Sequence, residues 1–363
     1  MTNLEPIVFT RGVPATESFP LDEMVAATER ALRKSGDKTL QYGPSWGYLP
    51  LREWLAAWHT TAVGNILISN GSLQIVEFLC SAIISPGDVV FVEEPTYDRT
   101  LTTLRKHGAQ PVGIPLEADG PNIAALEAAL ETHTPRFFYI IPDFQNPAGA
   151  TCSPAKRERL VELARRHNFF YLEDAPYRRL RYRGDAAPSL FEMAPDVVMH
   201  MSSFSKLIGP GPRMGYILSH DADLMKQLAR IAEDTYISPN YFAHGAIYEF
   251  VAAGHLDPQI EKLKALYAPR LDATLAALAR YLPDTEATRP DGGFFLSVTF
   301  PEGVSTDVVR EKAAAYNLTL ADGKAFFVTG GDRFLRIPFC AITPATIDEG
   351  IRRLAQAVND ARA

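Results

Sequence analysis

The chain has 363 residues, 47% of them hydrophobic and 22% charged, which suits one large or two ordinary globular domains and excludes disordered, collagen-like and coiled-coil readings. Its three cysteines, Cys80, Cys152 and Cys340, form no short-spaced pair, so a disulfide framework or zinc knuckle is not expected and a reducing, cytoplasmic setting is. A formal charge of −7 argues against nucleic-acid or anionic-membrane partners, and neither a secretory leader nor a bilayer-spanning run is visible.

From Ile66 onward short apolar runs alternate with amphipathic segments. Residues 66–69 read as a strand and 73–84 as a helix, then 89–92 as a strand and 97–107 as a helix. Further strands are expected at 112–114, 137–141, 169–172 and 197–201, with helices over 123–130 and 154–167. Pro154 at a helix start and Pro86-Gly87-Asp88 after a helix punctuate this series. The order predicts an α/β fold: βαβ units building a three-layer α/β/α domain around a mixed, mostly parallel sheet. Beyond Asn240 the texture changes. Residues 257–281 form one long helical pattern carrying Leu263, Leu266, Leu271, Leu275 and Leu278, followed by Gly292-Gly293, an apolar run at 294–298 and a strand-like 334–339. The expected division is a large domain over residues 41–250 and a smaller α+β domain built from residues 1–40 and 251–363.

Doubly wound sheets bind ligands in the loops beyond the carboxyl ends of their strands. Five loops follow apolar runs here: Asn70-Gly71-Ser72, Glu94-Pro95-Thr96-Tyr97, the stretch 142–147 ending in Asn146-Pro147, Glu173-Asp174-Ala175-Pro176-Tyr177, and Ser202-Ser203-Phe204-Ser205-Lys206. A lone lysine is usually a solvated surface residue. Desolvated after a buried strand, it is instead an amine that can form an imine. Gly209-Pro210-Gly211-Pro212-Arg213 follows Lys206, and Ser203 and Arg213 are both residue types that hold phosphate.

The S-x-S-K run followed by P-G-x-R-x-G resembles the Schiff-base motif of fold-type I pyridoxal-phosphate aminotransferases of class I/II, of the 2-aminoadipate/aromatic type. The other loops match that family in order, so the resemblance covers nearly the whole chain. It implies pyridoxal 5′-phosphate as cofactor, Lys206 as the lysine that carries it and moves the substrate Cα proton, and Ser203, Ser205 and Arg213 at its phosphate. Asp174 would sit against the pyridine nitrogen, although an Asp in such a place is commonly a turn or cap residue. Asn146 and Tyr177 resemble the pair that bonds the cofactor's phenolate oxygen, and Tyr97 the aromatic stacked on its ring. Gly71, Ser72 and Leu73 open the helix after the first strand, where free N–H groups favour phosphate; relatives often carry Gln at the place of Leu73.

Arg336, in Leu335-Arg336-Ile337-Pro338-Phe339, resembles the family arginine that clamps the substrate α-carboxylate. Gly12, in Arg11-Gly12-Val13-Pro14, lies in the segment that resembles the family's cover over the substrate, and Asn146 is expected at the substrate too. Tyr42 resembles the residue that reaches the neighbouring subunit's phosphate, which implies a homodimer with shared sites. Arg11 reads either as a partner for an acidic side chain or as a solvated residue, and Trp46 either as a pocket wall or as interface packing. The reading is transamination between an L-amino acid and a 2-oxo acid, with 2-oxoglutarate as acceptor, by a ping-pong mechanism. The same site could also serve β-elimination, decarboxylation or oxidation. An aminotransferase-like sensor domain of a transcription regulator is the reading from another class, and the Tyr42 segment begins too near the N-terminus to leave room for its winged helix.

Overall fold

A computed structural model describes residues 4–362. The chain enters through strand β1 (Ile7–Phe9), helix α1 (Leu21–Thr39) and helix α2 (Leu49–Trp58). The alternating region then forms β2 (Ile66–Ser69), α3 (Ser72–Ile83), β3 (Val89–Glu94), α4 (Asp98–Lys106), β4 (Gln110–Glu117) and β5 (Gly120–Pro121). It continues with α5 (Ile123–Thr132), β6 (Phe137–Ile140), α6 (Pro154–His167), β7 (Phe170–Asp174), α7 (Leu190–Met193), β8 (Val198–Ser203) and β9 (Gly215–Leu218).

These strands build one sheet in the order β2-β9-β8-β7-β6-β3-β4-β5. The pairs β4/β3, β3/β6, β6/β7 and β7/β8 are parallel, whereas β9 runs antiparallel to both of its neighbours and β5 antiparallel to β4. Strands β2, β6 and β8 are buried along their whole length, which explains why they read as continuous apolar runs instead of alternating ones. The order of the parallel strands places the carboxyl ends of β3, β6, β7 and β8 side by side, and the expected loops leave from there. Antiparallel β9 had no counterpart among the expected strands, because four residues behind a loop of glycines and prolines carry too little pattern.

The remaining elements are α8 (Ala222–Tyr236), α9 (Tyr241–Ala252), α10 (Leu256–Tyr281), β10 (Glu286–Ala287), β11 (Phe295–Thr299), α11 (Thr306–Ala313), β12 (Leu318–Leu320), β13 (Phe334–Pro338) and α12 (Pro344–Arg362). β10, β11 and β13 form an antiparallel sheet. Helix α10 links two cores: Leu256, Ile260, Leu263 and Tyr267 belong to the large hydrophobic cluster, and Leu271, Ala277 and Leu278 to a second one around the small sheet. Residues before Gln41 divide between them. β1 pairs in parallel with β12 on the small side, but α1 packs along α9, and Ala15 and Ala27 lie in the large cluster. The expectation that all of residues 1–40 joins the small unit is thereby corrected, because α1 buries its small-residue stripe of Ala27 and Ala31 where α9 offers Gly245. Among the described residues no helix is long and apolar enough to cross a membrane.

Candidate active site

One cavity of about 620 Å³ opens where the strand ends meet the small sheet. It gathers Gly12, Ser72, Leu73, Tyr97, Asn146, Asp174, Tyr177, Ser203, Ser205, Lys206, Arg213 and Arg336, with Arg11 among its lining.

Lys206 owes its place to β8 and a single 3-10 turn, Phe204–Lys206. Ser203 caps that turn: its hydroxyl accepts from Ser205 N at 3.1 Å and donates to Met214 O at 2.9 Å. The turn delivers the Lys206 amine into the cavity, where it donates to Gly12 O at 2.9 Å and lies 5.5 Å and 5.8 Å from the Phe294 and Tyr177 ring centroids. Burial holds its pKa below the ordinary lysine value, and Arg336 pushes in the same direction. A larger share of the amine is therefore neutral and nucleophilic.

Asp174 closes β7 and is buried. Its Oδ2 accepts from the Tyr139 hydroxyl at 2.7 Å, and its Oδ1 is buried without any protein donor. Burial pushes this carboxyl up to about 6, against the opposing pull of Tyr139, His200 and Lys206. An unpartnered buried acceptor of this kind calls for a donor from outside the chain.

Arg336 sits in mid-β13 and crosses to the large sheet. Its Nη1 donates to Asn146 Oδ1 at 2.8 Å and its Nη2 to Thr10 O at 2.6 Å. The guanidinium lies between the rings of Phe295 and Phe326, 4.6 Å and 4.5 Å from their centroids. Burial lowers its pKa, and its Nε remains without a partner. Two aromatic rings at this distance favour the guanidinium charge while its N–H groups remain the means of binding a polar partner.

Arg213 adopts a left-handed backbone (φ 55°) and reaches over the start of α3. Gly71 has a φ of 89°, and a Cβ there would fall 2.3 Å from Arg213 Nη2, so glycine suits both the turn and the approach of that fork. The first N–H groups of a helix lack intrahelical partners, so Ser72, Leu73, Ser205 and Arg213 together form an anion cradle. The single Ser203 proton has Met214 O at 2.9 Å and Ser205 Oγ at 2.8 Å within reach, and both serines line the cavity. Tyr97, at the cap of α4, and Tyr177, whose ring meets Phe295 edge-on at 5.8 Å, supply the aromatic walls.

Three residues singled out from the sequence do not line the cavity. Gly71 acts through the space it leaves for Arg213. Tyr42 is 75% exposed. Trp46 packs half-buried on the large core with the Arg52 guanidinium 5.0 Å from its ring. Sequence reasoning missed Tyr139, Thr10, Phe295 and Phe326. Tyr139 lies inside an unbroken apolar run, where a tyrosine reads as core, and Phe326 lies in a 3-10 turn, Lys324–Phe326, with no periodicity to mark it.

A family model for aminotransferases of class I and II matches residues 5–354. The chain belongs to this family. The aminotransferase is 34% identical to aromatic-amino-acid aminotransferase 1 of Thermococcus litoralis, over 96% of this chain and 87% of that one. It is 32% identical to the 2-aminoadipate transaminase of Thermus thermophilus, over 96% and 89% of the two chains. Among solved structures it resembles LysN, the alpha-aminoadipate aminotransferase of Thermus thermophilus complexed with N-(5′-phosphopyridoxyl)-L-leucine. The TM-score is 0.94 at 31% identity, covering 98% of this chain and 92% of that one. The fold class read from the sequence and the assignment as a pyridoxal-phosphate-dependent transaminase are borne out by these likenesses.

Proposed function

We propose that this aminotransferase moves an amino group from an L-amino acid to a 2-oxo acid, with 2-oxoglutarate as acceptor, each substrate using the same cavity in turn. One observation carries this reading: a buried amine, a carboxylate oxygen without a donor and a ring-stacked guanidinium share a single cavity. The residues suit pyridoxal phosphate. Asp174 Oδ1, buried without a donor, would accept from a protonated ring nitrogen, and the cradle of Arg213, Ser205 and the Ser72 and Leu73 N–H groups would hold a phosphate, with Ser203 setting the position of Ser205. Asn146 gives its Oδ1 to Arg336, which leaves its amide N–H groups, with the Tyr177 hydroxyl, for the cofactor's phenolate oxygen; Tyr97 covers the ring.

When bound, the cofactor supplies an electron sink for the substrate's α-carbon. Lys206 would tether it, and the same amine, once free, is the group placed to take and hold the proton of substrate Cα. Burial lowers the pKa of that amine, which raises the share in the basic form the step requires. Arg336 holds the α-carboxylate, and Phe295 and Phe326 keep water from that ion pair. Gly12 and the segment around it lie over the substrate, with the Gly12 carbonyl already in contact with the lysine.

Donor and acceptor both carry an α-carboxylate, so both depend on Arg336. Arg336→Ala raises KM for the amino acid and for the oxo acid about hundredfold each, the loss expected for a charged hydrogen-bond pair, while cofactor affinity changes little. Arg336→Lys restores only part of this, because an ammonium cannot match a planar carboxylate with two parallel bonds. An unchanged KM for either substrate contradicts the shared-site reading.

Tyr42 reaches a site only across a subunit boundary. Exposed Leu40, Tyr42, Ile237 and Phe242 surround a junction at which Gly43 N donates to Ser238 Oγ and the Tyr241 hydroxyl to Pro44 O. A patch of this kind marks an interaction surface, and we assign it to a homodimer with shared sites. Sedimentation at twice the chain mass is the expected result, and a monomer at micromolar concentration would exclude it. All three cysteines are free and buried, which suits a reducing cytoplasm.

A further inference from the structure

Tyr139 stands in the middle of β6 with its side chain fully buried. A hydroxyl in an apolar strand costs free energy unless it finds a partner, and the partner here is Asp174 Oδ2 at 2.7 Å. That length marks a well-formed O–H···O hydrogen bond, within reach of the charge-assisted range. Burial lifts the Tyr139 hydroxyl well above the ordinary tyrosine pKa, so the proton stays on the tyrosine and the charge on the carboxylate. The two oxygens of Asp174 are thereby distinguished: Oδ2 is occupied, and Oδ1 is buried and free.

The other groups facing Asp174 cannot do this. His200, on β8, is already paired with Glu173 at 2.7 Å. Lys206, beyond β8, donates to Gly12 O. Glu173, the preceding residue on β7, opposes the charge on Asp174, and Tyr97, ahead of α4, is itself shifted by it. After burial, the Tyr139 bond is the largest influence on the carboxyl, and it favours the ionised form.

We propose that Tyr139 is a positioning residue for the reaction: it anchors Asp174 by one oxygen, leaves the other for the cofactor's ring nitrogen, and supports the carboxylate's negative charge. This rests on the reading of Asp174 as the partner of that nitrogen. A phenylalanine fills the same volume, so Tyr139→Phe removes the bond and keeps the packing.

The test is the affinity of the apoenzyme for pyridoxal phosphate, titrated as a function of pH in the parent, Tyr139→Phe, Asp174→Asn and the double variant. In the parent, affinity rises as Asp174 ionises near its pKa of about 6. Tyr139→Phe moves that rise upward by about one pH unit and weakens binding about tenfold below it, the equivalent of one lost charge-supporting hydrogen bond. Asp174→Asn abolishes the rise, and adding Tyr139→Phe to it changes nothing further. A rise at the parental pH in Tyr139→Phe, or an equal loss of affinity from that substitution in the Asp174→Asn background, overturns the proposal. If Asp174→Asn itself keeps the parental affinity and rise, the Asp174 reading fails, and the proposal with it.

Discussion

Lys206→Ala lowers kcat by about 10⁴-fold or more and removes the borohydride-trapped link between protein and cofactor. The magnitude follows from losing two functions at once: the covalent tether, and a proton acceptor whose contribution alone is worth on the order of 10²- to 10⁴-fold. The fold should survive. Lys206 ends a one-turn helix whose geometry is set by Ser203 and Phe204, and its only hydrogen bond is to Gly12 O. The amine is desolvated in the folded state, so its removal relieves a burial cost as it leaves a small cavity. Expected observations are a colourless protein that refolds normally and yields no reduced adduct in a peptide map. A reduced adduct persisting in Lys206→Ala would move the tether to another residue and contradict the role.

The second large effect is Asp174→Asn, which should act in opposite directions on the two forms of the protein. Without cofactor, the Asp174 carboxyl has a folded-state pKa of about 6 against an ordinary value of 3.8. A raised acid binds its proton more tightly folded than unfolded, so between those values the folded state holds the extra proton and stability falls as pH rises. The difference amounts to about 3 kcal/mol at neutral pH. The apo form of Asp174→Asn is therefore more stable than the parent above pH 6 and equal to it near pH 4. On the proposed pairing of Asp174 with the cofactor's ring nitrogen the order reverses when cofactor is bound, and kcat falls by about 10²- to 10³-fold. Calorimetric Tm values of apo and loaded forms at two pH values check both halves. A less stable apo variant at pH 7 would contradict the account.

The same contrast explains what was legible in the sequence. The chemistry-bearing loops follow short buried strands, so Lys206, Asp174, Asn146 and Tyr97 stood at the ends of apolar runs and could be found by position and residue type. The 154–167 helix was legible from Pro154 at its start, and in the structure Asn168 closes it in the left-handed region. Residues that act through tertiary contact left no such trace. Phe295 and Phe326 come from different segments to stack on one guanidinium, and no local pattern encodes that meeting. Thr10 contributes only its carbonyl, which every residue has. Helix α1 was misplaced because its buried face is made of alanines, which reveal that a face is packed closely but not against what. Tyr42 is exposed, and its proposed role depends on a second copy.

The central claim is that one cavity serves two successive substrates and keeps the amino group between them. It is tested most directly by a half-reaction: holoenzyme mixed with an amino acid in the absence of any oxo acid. The account predicts one equivalent of keto acid per site, conversion of the bound cofactor to its amine form, no released ammonia or carbon dioxide, and full reversal on adding 2-oxoglutarate. Continued turnover without an acceptor, with ammonia or carbon dioxide accumulating beyond one equivalent, would contradict it.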